Sequence, residues 1–212
     1  EPLRAAGVSR VNISLDTLDP AKVAAVTRRG TPEEALAGIE SALNAGFRRV
    51  KLNAVLMGGF NDDEIPALAD LTRRWPVDVR FIELMPMYAG GFGPGAFLPA
   101  ETVLAALPEL EPRPADGGVA RLFRLPGAQG DVGLISPVSD HFCAACTRLR
   151  LTADGRIKPC LHSCQEYSVK GMGFAEMREQ FRRAILAKPA CHGTLTPGEI
   201  SGAGRDMNQI GG

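Results

Sequence analysis

Between Arg10 and Leu84, short β-branched runs alternate with helical stretches, and that alternation limits the fold more than any other feature of the chain. "RVNISL", "RRVKLNAVLM" and "VDVRFIELMP" read as strands. A helical stretch lies between each pair, so the order strand, helix, strand, helix, strand predicts parallel strands joined by right-handed crossovers. The fold class is α/β. In "TPEEALAGIESALNAG", Thr31 is the expected N-cap, Pro32 the first helical residue, Glu34 the capping-box partner and Gly46 the stop. Asn61 is the expected cap of "DDEIPALADLTRRW", where Pro66 restricts the position of the first turn.

The parity of these strands carries a second constraint. Parallel strands covered by helices normally read as apolar on both faces. Here one parity is polar: Asn12 and Ser14, then Lys51 and Asn53, then Arg80. A single strand of this kind would suit a sheet with one face in water. Three neighbours with crossover helices on their outer side instead predict a polar face turned toward a barrel lumen or ligand cleft.

After "MPMY" the texture changes to the glycine-rich "AGGFGPGAF", and a domain boundary is expected near residue 89. A short helix near Pro99 follows. "VARLFRLPG" and "DVGLISPVS" read as one hairpin, and "RLRLT" and "RIKPCL" as another around "ADG". "FAEMREQFRRAILAKP" is an amphipathic helix, whereas the tail from His192 to Gly212 lacks periodicity.

Lysine plus arginine balances aspartate plus glutamate at 24 each, so no global field points to nucleic acid or an anionic membrane. Any anionic ligand must be met by local charges. With no membrane-length apolar run and no export pattern, the default location is the cytoplasm, where five cysteines argue for metal ligation or catalysis over disulfides.

Three of those cysteines, Cys143, Cys146 and Cys160, form a C-x2-C-x13-C array, with Cys164 as an optional fourth ligand and Cys191 far away in sequence. A C-x2-C turn grips one ion or cluster, and a hairpin returns a third thiolate from the opposite strand. Spacing alone leaves zinc and an iron–sulfur cluster both open. Arg148 and Arg150 favour the cluster: they alternate along a strand that starts at the site, and guanidinium forks suit phosphate oxygens. A cluster held by three cysteines keeps one iron open for a substrate atom. His162 and His192 are metal ligands by type, but each stands alone in a polar segment and reads first as an ordinary surface histidine; Cys164 and Cys191 read as spare thiols.

"VNISLDTLDP", "VKLNAVLMGGFNDDEI", "VRFIELMPM", "FCAACTRLRLTADGRIKPCLH" and the terminal "MNQIGG" together resemble, in the same order, the GTP 3′,8-cyclase family, radical S-adenosylmethionine (SAM) enzymes of molybdenum-cofactor biosynthesis. The resemblance implies the C-terminal half of an incomplete (βα)6 TIM-like barrel over residues 1–88 and an iron–sulfur, GTP-binding extension over residues 89–212. It implies that Cys143, Cys146 and Cys160 hold a 4Fe–4S cluster and that Ser14 and Met85 contact SAM. Lys51, Arg80, Arg148 and Arg150 would contact GTP, and Gly211 and Gly212 would reach into the active site. The chemistry implied is SAM-derived radical conversion of GTP to (8S)-3′,8-cyclo-7,8-dihydroguanosine 5′-triphosphate, with the product passing to a cyclic pyranopterin synthase.

The family's C-x3-C-x2-C motif for the SAM cluster does not occur in this sequence. We therefore expect a fragment, or one half of a split enzyme completed by a separate N-terminal chain carrying the other cluster, inactive alone. The family's habit of forming homodimers is a further expectation. Two other readings are a radical SAM peptide-modifying enzyme with an auxiliary cluster, and a zinc-stapled binding module without catalysis.

Overall fold

The structure, a computed structural model, describes residues 1–27, 29–87, 94–205 and 207–210. The boundary expected near residue 89 lies outside the described residues, as do Gly211 and Gly212. The chain forms two compact units: Glu1–Leu84 with Ala96–Ser139, and Met85–Gly95 with Asp140–Gly212.

The first unit runs α1 (Pro2–Ala5), β1 (Arg10–Ser14), α2 (Pro20–Thr27), α3 (Pro32–Asn44), β2 (Arg49–Leu56), α4 (Ile65–Arg74), β3 (Val77–Glu83), α5 (Glu101–Ala106), β4 (Glu111–Arg113), β5 (Arg121–Arg124) and β6 (Val132–Ile135). Its six strands form one sheet in the order β1-β2-β3-β6-β5-β4. β1, β2 and β3 are parallel, as the alternation predicts; β6 joins β3 in parallel, which the alternation does not predict, and β5 and β4 continue antiparallel. The expected hairpin is thus β5–β6, whose second strand also pairs with β3.

Local signals account for much of this. Thr31 and Glu34 form the expected capping box at α3, with Pro32 in its first turn. Asn61 departs from expectation. It precedes a short 3₁₀ turn, Asp62–Glu64, and makes no side-chain cap bond. Its fully buried amide instead accepts from the Met57 N–H and donates to the Asp16 and Val55 carbonyls. An amide with both donors and an acceptor can tie a strand end to the loop beside it, and here that outweighs capping.

Burial alternates strictly along β2: Val50, Leu52, Ala54 and Leu56 enter the core, while Lys51, Asn53 and Val55 on the other face are half-buried. Ile65, Leu68 and Ala69 of α4 join the same core. The strand register places polar partners side by side, Asn12 with Lys51 and Asp78, then Ser14 with Asn53 and Arg80. At the start of β6 the chain passes so close to β3 that a Cβ on Gly130 would lie 1.9 Å from the Val77 carbonyl oxygen, which only glycine permits.

The second unit contains β7 (Arg150–Leu151), β8 (Arg156–Lys158), β9 (Tyr167–Ser168) and α6 (Phe174–Leu186). The strands form a three-stranded antiparallel sheet in the order β7-β8-β9, and α6 packs on β8 and β9. At its centre Lys158 is fully buried. Its ammonium donates to the carbonyls of Ser163 at 2.6 Å and Ala203 at 2.8 Å and faces Glu166 at 3.5 Å. Burying that charge is tolerable because it is paired and hydrogen-bonded.

Candidate functional site

In the first unit the polar sheet face concentrates positive charge. Lys51 and Arg80 stand on the adjacent strands β2 and β3, and Asp116 reaches both from the turn before β5, at 3.7 Å and 3.4 Å. Across the sheet from Arg80 lies Gly133, whose missing side chain leaves room for the arginine stem: a Cβ there would sit 3.2 Å from Arg80 Cγ. Arg80 is only 7% exposed, and its Nε is buried without a hydrogen-bond partner among the described residues. Desolvation, followed by the neighbouring Arg80 charge, lowers the Lys51 pKa, with Asp116 opposing. The Asp116 carboxyl is held below its ordinary range by the Gly118 amide and then by the two cations, against desolvation. Two desolvated cations thus share one half-exposed carboxylate. Arg80 keeps an unused donor there.

In the second unit Cys143 and Cys146 bracket a 3₁₀ turn, Cys143–Ala145, closed by the Cys146 N–H donating to the Cys143 carbonyl at 3.1 Å. Cys160 follows β8, and β7 and β8 form the expected hairpin. All three are half-buried. Lys188, just beyond α6, was not singled out in the sequence. It donates to Cys146 Sγ at 3.7 Å and to the Arg148 and Pro159 carbonyls at 2.9 and 3.0 Å, joining the two cysteine-bearing segments. Nothing in a lone Lys-Pro after a helix signals such a role.

Arg148 is exposed and Arg150 half-buried. Burial and then the Arg148 charge lower the Arg150 pKa, while the Cys146 and Cys160 thiols act in the opposite sense, which places Arg150 in the electrostatic field of the cysteine set. Arg150 Nη1 also donates to the Ile210 carbonyl at 3.3 Å, fastening the chain just before Gly211. Met85 packs with Met87, Leu161 and Ile210 in a small apolar cluster of this unit, and Ser14 is exposed at the end of β1 in the other unit.

The donor chemistry suits a soft metal centre: three thiols beside an ammonium and a guanidinium that offset thiolate charge. Among the described residues, a second set of metal-ligating types, His141, Cys191 and His192, brings one ligand atom from each within 4.8 Å of the others.

Residues 77–194 match the Molybdenum Cofactor Synthesis C family, and residues 1–72 the Radical SAM superfamily. Over 222 residues the chain is 46% identical to a GTP 3′,8-cyclase of Heliobacterium modesticaldum, covering 99% of this chain and 68% of the relative. The chain belongs to the GTP 3′,8-cyclase family. A GTP 3′,8-cyclase of Alkaliphilus oremlandii is 43% identical over 217 residues, with 100% and 68% coverage, and one of Moorella thermoacetica 45% over 224, with 99% and 67%. Membership in a radical SAM family implies iron–sulfur clusters and SAM. No helix among the described residues is long and apolar enough to cross a membrane.

Two features of this cyclase-family chain were not legible in its sequence. His162 and His192, expected to stand alone, are brought together with His141: the His192 ring lies 4.6 Å from His141 and 5.0 Å from His162, between centroids. Cys191 is exposed, and the neighbouring Cys143 thiol and then desolvation raise its pKa. Cys164 is exposed, on the segment leading to β9.

Proposed function

We propose that this chain acts in the GTP 3′,8-cyclase reaction as the part that holds GTP and one 4Fe–4S cluster. The observation that carries the reading is Arg80, a buried guanidinium with an unused Nε donor, beside the desolvated ammonium of Lys51. A buried cation with an unpaired donor is costly unless an anion or acceptor completes it. A nucleotide supplies both. Cys143, Cys146 and Cys160 would hold the cluster, leaving one iron for a substrate atom, and Arg148 and Arg150 would pair with phosphate oxygens. Ser14 and Met85 are assigned to SAM, and Gly211 and Gly212, carried by the tail that Arg150 holds at Ile210, to the reacting nucleotide.

The parallel strands β1, β2, β3 and β6 belong in this reading to an incomplete (βα)6 barrel, with the second unit as its cluster-binding extension. SAM with its own cluster, whose C-x3-C-x2-C motif does not occur in this sequence, would supply the radical that takes hydrogen from the ribose. This chain's own residues have a different task. Closing a ring between two parts of one nucleotide requires a single conformer, and paired cations at separate points on the ligand fix orientation as well as affinity.

The test is to reconstitute the chain anaerobically with iron and sulfide, count metals, and titrate GTP while recording the cluster's electron paramagnetic resonance. About four iron and four sulfide per chain, with a GTP-dependent change lost in Arg80→Met, is the expected result. Zinc without labile sulfide would replace this reading with the zinc-stapled binding module. A cluster whose spectrum ignores GTP would remove the substrate assignment alone.

A further inference from the structure

The chain contains three histidines, and the second unit gathers all of them beside an exposed thiol. His141 lies two residues before the cysteine turn, while Cys191 and His192 follow α6. One ligand atom from each of these three residues lies within 4.8 Å of the others. We propose that His141, Cys191 and His192 form a mononuclear zinc site, distinct from the three-cysteine centre, that clamps the segment after α6 to the loop entering Cys143.

The chemistry of the donors selects the ion. Two imidazoles and a thiolate make a borderline-soft set suited to zinc, and three protein ligands leave a fourth tetrahedral position for water. His192 is already oriented for the task. Its Nδ1 lies 2.8 Å from the Gly193 carbonyl oxygen, and because a carbonyl only accepts, Nδ1 carries the proton and Nε2 presents its lone pair. A ligating histidine is typically fixed by just such a hydrogen bond from its other ring nitrogen. His162 packs against His192, and both of its buried ring nitrogens lack a hydrogen-bond partner among the described residues. A zinc-bound water would give one of them that partner.

Zinc takes cysteine as its thiolate, so binding at this set releases one proton to solvent. The clamp joins residues separated by about 50 positions in sequence, across the loop that bears two cluster cysteines. Zinc occupancy therefore steadies that loop.

The experiment uses the full chain, with and without reconstituted iron and sulfide, titrated with zinc against a chromophoric chelator. The expected result is one zinc per chain beyond the iron, with affinity reduced at least tenfold in Cys191→Ser and in His192→Gln, and with iron and sulfide unchanged in both. Cobalt used in place of zinc shows a sulfur-to-metal absorption band that Cys191→Ser abolishes. Three outcomes would overturn the proposal: no zinc held against the chelator, zinc held equally by wild type and both variants, or iron lost in Cys191→Ser, which would make Cys191 a cluster ligand instead. Both substitutions are at solvent-accessible positions and conserve size, and circular dichroism confirms that each variant is folded before its titration is read.

Discussion

Arg80 and Lys51 both pair with Asp116, and that sharing makes Asp116 a tuning residue. The carboxylate is half-exposed and sits on a turn in which its Oδ1 accepts from the Gly118 N–H at 2.9 Å. Asparagine keeps this acceptor and removes the charge. Asp116→Asn is therefore expected to tighten GTP binding by about two- to fivefold, the worth of a partly screened ion pair, as measured by calorimetry. Weaker binding would show that Asp116 positions the cations instead of competing with the ligand. Arg148 makes the complementary case. If it holds phosphate in the reactive conformer, Arg148→Ala in the active enzyme lowers kcat as well as kcat/KM, while a raised KM with normal kcat would reduce it to a binding residue. The polar parity that exposed Lys51 and Arg80 was readable because strands alternate every two residues. Asp116 was not, since it reaches Arg80 across 36 residues through a turn that no periodicity marks.

At the scale of elements, the signals that could be read were the local ones. The α3 capping box spans three residues, so its pattern is written contiguously, and Thr31→Ala should cost about 1 kcal/mol. Asn61 belongs to a different class. Its Oδ1 and Nδ2 serve Met57, Val55 and Asp16, and the last of these lies 45 residues away. No sequence window shows that pairing, which explains why a good capping residue was read as a cap. Asn61→Ala leaves one N–H and two carbonyls unpaired in a fully buried position. The expected loss is on the order of 3 kcal/mol or more, clearly larger than for Thr31→Ala in parallel thermal melts. Equal losses would mean that water replaces the amide. The β3–β6 pairing was hidden for a related reason. The β5–β6 hairpin is a local event, but the partner on the far side of β6 comes from residues more than 50 positions earlier.

On the scale of the whole molecule, net charge is zero, and each unit contains acidic groups held by a specific cation. In the second unit Arg205 joins Glu166 to Asp154 in the β7–β8 turn, donating through Nη2 at 2.8 Å to each. The Arg205 hydrogen bonds are the largest cause holding both carboxyls below their ordinary pKa. In the first unit Lys22 does the same for Asp63 at 3.0 Å and, with Thr17, for Glu64 against its desolvation. Carboxyls depressed by folding stabilise above their unfolded pKa of about 4, and that contribution drains away as pH falls toward the folded values. Arg205→Met should therefore lower the stability of the second unit fully at pH 7, with the gap from wild type narrowing as pH drops below about 4. The single tryptophan, Trp75 after α4, offers an internal control. Its fluorescence reports the first unit, so its acid transition should not move in Arg205→Met, while circular dichroism of the whole chain should register the change. A shift of the Trp75 transition by the same amount would show that the two units unfold as one cooperative body, and a gap between wild type and Arg205→Met that stays constant from pH 7 to pH 3 would show that Arg205 acts through packing and not through its carboxylate partners.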